Sequence, residues 1–287
     1  MISLNEFLVN KKINKKIDQY HYYPKSRDEL MEIIQQLLNQ GIHDLNCIDT
    51  SNITDMHGLF NCLSDDYDWV DILYIDDIDI SNWNVSNVED MRAMFKGCRK
   101  FNCDISNWNV SKVKNMLQMF YGCDKFNQPI GKWNVSNVIN MQAMFSGCIE
   151  FNQPLNNWNV SNVKNMHLMF HGCKKFNCDI NNWDVSKVTN MENMFNGCIE
   201  FNQPLNNWNV SNVTNMDNMF AGCEKFNQDL SKWDVSNVEV MENMFWNCTK
   251  FNQNLNKWNV SKVRNMGGAF DNCDSLKNKP TWYNEED

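Results

Sequence analysis

A 25-residue period runs through most of the chain and constrains its fold more than any other feature. Tryptophan recurs at intervals of 25 from Trp83 to Trp258, and cysteine recurs in the same way from Cys98 to Cys273. A looser copy precedes them, with Ile48 at the tryptophan position, which makes nine copies in all. Such a period predicts a solenoid, because one copy cannot bury its large apolar residues alone and must stack on its neighbours.

The apolar positions of each copy, or coil, are expected to form columns that point inward along the stack. In the third coil these positions are Ile105, Trp108, Val110, Val113, Met116, Met119, Phe120, Cys123 and Phe126. The pattern over residues 105–110 predicts a short strand, and the spacing over 116–120 predicts a short helix. Asn115 fits the N-cap of that helix, and Gly122 fits the left-handed residue that ends it.

Other repeating polar and cysteine positions also have structural explanations. Asn102 and its equivalents follow a column phenylalanine, and we expect them to form a hydrogen-bonded ladder, since a buried turn needs partners for its backbone. Val240 interrupts the Asn115 column and is expected to leave a weaker cap. The eight column cysteines repeat with the fold, so we expect buried residues and not nucleophiles. Stacking brings them near disulfide reach, but without a secretion signal reduced thiols are the expectation.

Non-repeating segments flank the predicted solenoid of residues 45–273. Residues 1–44 are expected to form an N-terminal helical cap, because Ser26 and Glu29 make a capping-box pattern ahead of apolar residues at helical spacing, with Gly41 as the stop. Residues 274–287 are expected to begin a further coil, with Tyr283 in the tryptophan column, and to end in an acidic tail. Either Trp282 or Tyr283 is expected to cover the last coil.

An acidic insertion at residues 63–78 separates the first two coils. It carries Tyr67, Trp69 and Tyr74 among many aspartates. Aromatic residues favour protein interfaces, so a partner contact is one interpretation and a plain surface bulge is another. A calcium site is a third, although the segment lacks the glycine and the closing glutamate of an EF-hand loop.

Charge and motifs exclude several classes of function. The net charge of −9 argues against a nucleic-acid-binding protein, which normally has a basic face. No apolar run reaches about 18 residues, so no membrane span is predicted. Nucleotide-binding, hydrolase and metalloprotease motifs are absent from the sequence, so we expect no enzyme, no cofactor and no metal. His167, His171 and Cys178 lie near Cys173 in a zinc-like grouping, but Cys173 is a core-column residue.

Positions that vary between coils are where a solenoid usually binds, because the remaining positions are used in stacking. The two places after the first methionine of each coil and the place after its phenylalanine vary most. In the latter column Tyr121, His171 and Trp246 are the candidate binding residues, together with the aromatic residues of the insertion. The expected partner is a protein of unknown identity, and the chain is expected to be a cytoplasmic monomer. A virus- or phage-infected host cell is equally compatible with the absence of a signal sequence.

The copies FNQPIGKWNVSNVINMQAMFSGC and FNQPLNNWNVSNVTNMDNMFAGC resemble the BspA-like leucine-rich repeat family, also known as the DUF285 repeat. The segment YPKSRDELMEIIQQLL and the first coil resemble the cap and first repeat of that family, so the likeness extends from Pro24 to the end. It implies an α/β repeat solenoid: a curved, leucine-rich-repeat-like, right-handed superhelix with a strand and a helix in each coil.

Relatives of this kind are mostly bacterial and protist surface proteins, some of them adhesins, and others come from mycoplasmas, phages and large DNA viruses. This sequence has no signal peptide, lipobox or wall anchor, which argues against an adhesin. The sequence therefore predicts a non-enzymatic protein–protein interaction scaffold. The alternative is a structural or adhesive component of a cell surface or virion.

Overall fold

One α-helix precedes the coils in the computed structural model, which describes residues 20–63, 75 and 77–284. This helix, α1, spans Arg27–Leu38 and begins where the sequence predicts, since the Ser26 side chain accepts a hydrogen bond from the Glu29 N–H. The Glu29 carboxylate accepts from the N–H of Lys25, one residue earlier than in a standard capping box. The helix buries Leu30, Ile34 and Leu37 in the same core as the coils.

The helix is also joined to the first coil by a polar contact. The Arg27 guanidinium donates to the His57 carbonyl at 2.7 Å. In later coils the carbonyl at the equivalent position accepts an N–H from the coil before, as the Leu117 carbonyl does from Ala93. Arg27 therefore supplies to the first coil a donor that a preceding coil would otherwise provide.

Each coil is a succession of tight turns, and the predicted strand over 105–110 and helix over 116–120 are both wrong. The only helical segment in the described coils is the short 3-10 turn Ile130–Lys132. In the third coil six turns close with an N–H that donates to the carbonyl three residues earlier: Trp108 to Ile105, Val113 to Val110, Met119 to Met116, Tyr121 to Gln118, Cys123 to Phe120, and Phe126 to Cys123.

Left-handed residues at two positions of the segment explain why no helix forms there. Gln118 has φ 55° in the middle of the predicted helix, and Gly122 has φ 70° four residues later. A right-handed helix excludes both values. Asn115 does act as a cap, but of an isolated turn, since its Oδ1 accepts the Leu117 N–H at 3.1 Å. The positive φ predicted for the Gly122 column is confirmed. The two asparagines of this column, Asn247 and Asn272, have φ 58° and 57°.

The coils are joined by a backbone ladder along residues 114–122 and their equivalents, which we call the bridged face. Isolated parallel bridges link neighbouring coils, as from Asn115 to Asn140. Alternate N–H groups donate to the next coil: Met116 to Asn140, Gln118 to Gln142, Phe120 to Met144, and Gly122 to Ser146, at 2.7–3.1 Å. Val240 keeps its bridges through the backbone although it has no side-chain oxygen for a cap.

The predicted inward columns are confirmed, and two of them also bond to buried backbone. In the third coil every predicted column residue is at most 4% exposed. The indole of Trp133 donates to the Ile105 carbonyl at 3.1 Å, and the thiol of Cys123 donates to the Phe95 carbonyl at 3.0 Å. The same two bonds recur along the stack.

The predicted asparagine ladder is confirmed as well. Asn102 Oδ1 accepts the N–H of Asn127 at 2.9 Å. The pattern continues coil by coil until Asn252 accepts the N–H of Lys277. These side chains satisfy backbone donors at the bend.

Ring spacing shows that the stack is curved. Where equivalent rings of neighbouring coils have the same orientation, the distance between their centres measures the spacing of the coils at that point. The spacing is 6.4–6.5 Å for three parallel tryptophan pairs and 5.5–5.8 Å along the Phe120 column. Backbone bridges require about 4.8 Å. The coils therefore fan out toward the tryptophan side, and the bridged face lies on the inside of the bend.

The C-terminal segment covers the last coil with Trp282, one of the two residues predicted, but Tyr283 does not occupy the tryptophan column as predicted. Trp282, and not Tyr283, continues the tryptophan column, since its indole donates to the Leu255 carbonyl at 2.8 Å and its ring stacks on Trp258 at 6.1 Å. Tyr283 instead packs edge-on against Phe270. The backbone keeps the 25-residue register here, since the Tyr283 N–H donates to the Pro280 carbonyl as the Trp258 N–H does to the Leu255 carbonyl. The indole of the preceding residue therefore fills the column.

The glycine column provides a test of the turn geometry. Gly147 has φ 78°, and a Cβ there would lie 3.3 Å from the Cα of Gly122. Gly147→Ala is therefore expected to lower the free energy of unfolding by about 1–2 kcal/mol, measured by denaturant titration. Asn247→Gly, in the same column, is the control and should leave stability unchanged or raise it. Equal losses in both variants would contradict the argument.

Candidate functional site

Two columns of varied residues flank the bridged backbone on the inside of the bend. The first variable column follows the first methionine of each coil and consists of His57, Arg92, Leu117, Gln142, His167, Glu192, Asp217, Glu242 and Gly267. The second variable column follows the phenylalanine and consists of Lys96, Tyr121, Ser146, His171, Asn196, Ala221, Trp246 and Asp271. Because these side chains project from a common ladder, both columns lie along one surface, in which Ser146 and Ala221 are buried.

A third position that the sequence marks as variable is structural. It follows the first variable column, and its non-glycine members all have positive φ, from 51° at Asn243 to 58° at Leu168. Gly58 and Gly268 occupy it in the first and last coils. Sequence reasoning missed this constraint, although the asparagines at 193, 218 and 243 were a signal of it.

The structure places three of the predicted binding residues in the second variable column. Tyr121 and His171 are separated by one coil, and Trp246 lies three coils beyond His171. They share a surface but do not contact one another as a single cluster. The other three candidates, Tyr67, Trp69 and Tyr74, lie outside the described residues.

Two of these side chains are held by their neighbours. The Lys96 ammonium lies 5.6 Å from the centre of the Tyr121 ring, a cation–π contact between adjacent coils. His171 Nδ1 lies 3.3 Å from the hydroxyl oxygen of Ser146. Burial, with a smaller contribution from His167, lowers the pKa of His171, so this ring is neutral at pH 7.

Trp246 is the most exposed aromatic residue of the two variable columns. Its side chain is 44% exposed, whereas most large apolar residues of the coils are buried. It borders a shallow open cleft at the C-terminal end, whose other lining residues are Phe270, Asp271, Asn272, Cys273, Asp274 and Lys279. An indole in such a position suits the anchor of a protein contact.

Negative charge accumulates in the later half of the first variable column. Glu192, Asp217 and Glu242 occupy three successive coils. Partial burial raises the pKa of Asp217, and the charges of Glu242 and Glu192 add to that effect.

Opposite charges pair between neighbouring coils at other positions. Lys114 pairs with Glu89 at 2.6 Å, and Lys175 and Lys225 pair with Glu150 and Glu200. Glu192, Asp217 and Glu242 differ from these pairs, because three successive coils carry a charge of the same sign.

The column cysteines from Cys123 to Cys248 are poorly suited to nucleophilic chemistry, because neighbouring coils bury them. Burial raises the pKa of the column thiols, such as Cys148 and Cys198, far above the ordinary range. Within the residues that the structure describes, no three His, Cys, Asp or Glu side chains are grouped to hold a metal ion. Cys173 points into the core and donates to the Phe145 carbonyl, away from His167 and His171 on the surface.

Three overlapping segments, residues 28–129, 70–183 and 169–283, match the family described as Mycoplasma protein of unknown function, DUF285. The chain belongs to the DUF285 family. The resemblance to BspA-like repeats is thus confirmed over the whole described solenoid. No curated protein matches the chain in sequence. Among described residues, no helix is both long and apolar enough to cross a membrane.

Two solved structures are similar to this chain at low sequence identity. A leucine-rich repeat protein from Bacteroides ovatus is 14% identical, with 79% of this chain and 78% of that chain covered and a TM-score of 0.21. A leucine rich cell surface protein from Faecalibacterium prausnitzii is 13% identical, with 82% and 84% covered and a TM-score of 0.24. Scores this low do not indicate a common overall shape, so the family assignment rests on the sequence match.

The acidic residues of the bridged face give a pH-dependent prediction. A raised pKa in the folded state means that ionised Asp217 opposes folding. Asp217→Asn is therefore expected to raise the free energy of unfolding at pH 7, and this gain should disappear as the pH falls below the ordinary value of 3.8.

Asp229→Asn is the matched control with the opposite sign. Hydrogen bonds from Ser231 lower the pKa of Asp229, so its substitution should reduce stability at pH 7. That loss should also disappear under acid, as both states become protonated. Denaturant titrations at a series of pH values measure both variants, and a change of the same sign in both would contradict the assignment.

Proposed function

We propose that the protein is a non-enzymatic protein-interaction scaffold that binds through the bridged face of a leucine-rich-repeat-like, right-handed solenoid. The observation that carries this proposal is that stacking residues and variable residues occupy separate positions in each coil. Column positions are alike from coil to coil and are used for stacking, whereas the two variable columns differ and lie along one surface. Solenoids use such inner surfaces to bind extended partners.

The chemistry of the surface favours a particular kind of partner. The run of Glu192, Asp217 and Glu242 and the net charge of −9 favour a protein with a basic or polar patch. Trp246 and Tyr121 are the aromatic anchors of the proposal, and His171 contributes a neutral polar group between them. The insertion residues Tyr67, Trp69 and Tyr74 form a second proposed contact.

A structural or adhesive role at a cell surface or on a virion is the alternative. It is supported by the near-identical coils, which are suited to a rigid spacer with few specific contacts. The scaffold proposal expects the protein in the cytoplasm, whereas this alternative expects it at a cell surface or on a virion.

Affinity capture from the native lysate tests the scaffold proposal. Immobilised intact protein is compared with Trp246→Ala and with a variant whose residues 64–74 are replaced by a Gly/Ser linker of equal length. Loss of a saturable partner in the first variant assigns binding to the bridged face, and loss in the second assigns it to the insertion. Truncation of an interface anchor typically costs 2 kcal/mol or more, about 30-fold in affinity.

Tyr23→Ala is the matched control, because Tyr23 is an exposed aromatic residue that precedes α1, outside the bridged face, and is 52% exposed. It should retain the partner. If the intact protein captures no saturable partner, the scaffold proposal fails. Recovery of the chain from purified surfaces or particles would then favour the structural alternative.

A further inference from the structure

One cysteine departs from the repeat pattern at the end of the first coil. The N–H of Phe60 donates to Met94 and that of Cys62 donates to Lys96, both at 2.8 Å. These bonds repeat those of Phe95 and Gly97 one coil later. Cys62 therefore occupies the glycine column, where the six members from 97 to 222 are glycine and the last two are asparagine.

This substitution brings two sulfur atoms together. The Sγ atoms of Cys62 and Cys98 lie 3.2 Å apart, and both thiols are directed at the Phe60 carbonyl, at 3.4 Å and 2.8 Å. From Gly97 to Gly222 the glycine column has no side chain. A column thiol such as Cys123 is therefore the only thiol directed at the carbonyl of the preceding coil. A disulfide has an S–S length of about 2.05 Å, which requires an approach of only about an ångström here.

We propose that Cys62 and Cys98 form a reversible thiol–disulfide site that ties the first coil to the second across the base of the insertion. The oxidant is a small-molecule disulfide such as oxidised glutathione. The Cys62 thiolate attacks one sulfur of the oxidant, forms a mixed disulfide and releases one thiol. The Cys98 thiolate then attacks the Cys62 sulfur, forms the internal S–S bond and releases the second thiol, so two protein thiols are oxidised and one disulfide is reduced.

Accessibility separates this pair from the other cysteines. Cys62 is half-buried and the next residue, Leu63, is 56% exposed, so an oxidant can reach this end of the ladder. Cys98 is 3% exposed and is reached through Cys62. The column cysteines from 123 to 248 are buried on both sides by neighbouring coils, which shields them from exchange.

The test is disulfide mapping on the whole protein under native conditions. The protein is equilibrated in glutathione buffers of increasing oxidised fraction, alkylated and digested with trypsin without reduction. Because Lys96 and Arg99 flank Cys98, the expected product is the tripeptide of residues 97–99 bonded to the peptide that carries Cys62, with the loss of two hydrogen atoms. Fragmentation distinguishes Cys62 from Cys47, which lies on the same peptide.

Substitutions make the outcome decisive. Cys62→Ser, and Cys62→Gly which restores the repeat residue, should both abolish the link, and Cys47→Ser should retain it in full. Return to reduced glutathione should reverse the bond. The proposal is overturned if Cys62 carries only a glutathione adduct, if Cys98 bonds to another cysteine, or if no disulfide forms under oxidising buffers.

Discussion

The backbone ladder of the bridged face is the interaction on which the rest of the structure depends. Each coil donates alternate N–H groups to the next coil, from the Met116 position to the Gly122 position. Parallel bonding of this kind holds neighbouring coils at a fixed register. Every column follows from that register, because residues 25 apart are then in contact. The insertion between the first two coils is tolerated because it leaves the ladder after Leu63 and rejoins the stack by Asp79, whose N–H donates to the His43 carbonyl.

Stacking of turns in place of strands and helices requires other partners for buried carbonyl groups. Tryptophan and cysteine supply them, since the indole and the thiol each donate to a carbonyl of the preceding coil. These residues thus fill the core and satisfy backbone acceptors at the same time. Among the described residues no buried side-chain nitrogen or oxygen lacks a hydrogen-bond partner. Replacement of either residue by an aliphatic one would preserve apolar volume and lose the bond.

Stacking and turn formation also determine which positions of a coil can vary. A coil has few residues that neither stack nor turn, and most of those flank the ladder on the inside of the bend. The surface there changes in charge and size from coil to coil, from Arg92 and Lys96 at one end to Glu242 and Trp246 near the other. In the proposed scaffold, binding and stability are carried by different residues, so we expect the bridged face to tolerate substitutions that the columns do not.

The sequence by itself determined the solenoid, its nine coils, its inward columns, the capping helix and the turn glycines, because each of these repeats or follows a local rule. It was wrong about the strand and the helix, since apolar spacing alone does not distinguish a helix from a turn that contains a left-handed residue, such as Gln118. Only the tertiary structure decided that Trp282 continues the tryptophan column and that variable residues share one face. It alone placed Cys62 against Cys98, because the contact joins positions 36 residues apart across an irregular insertion that no period predicts.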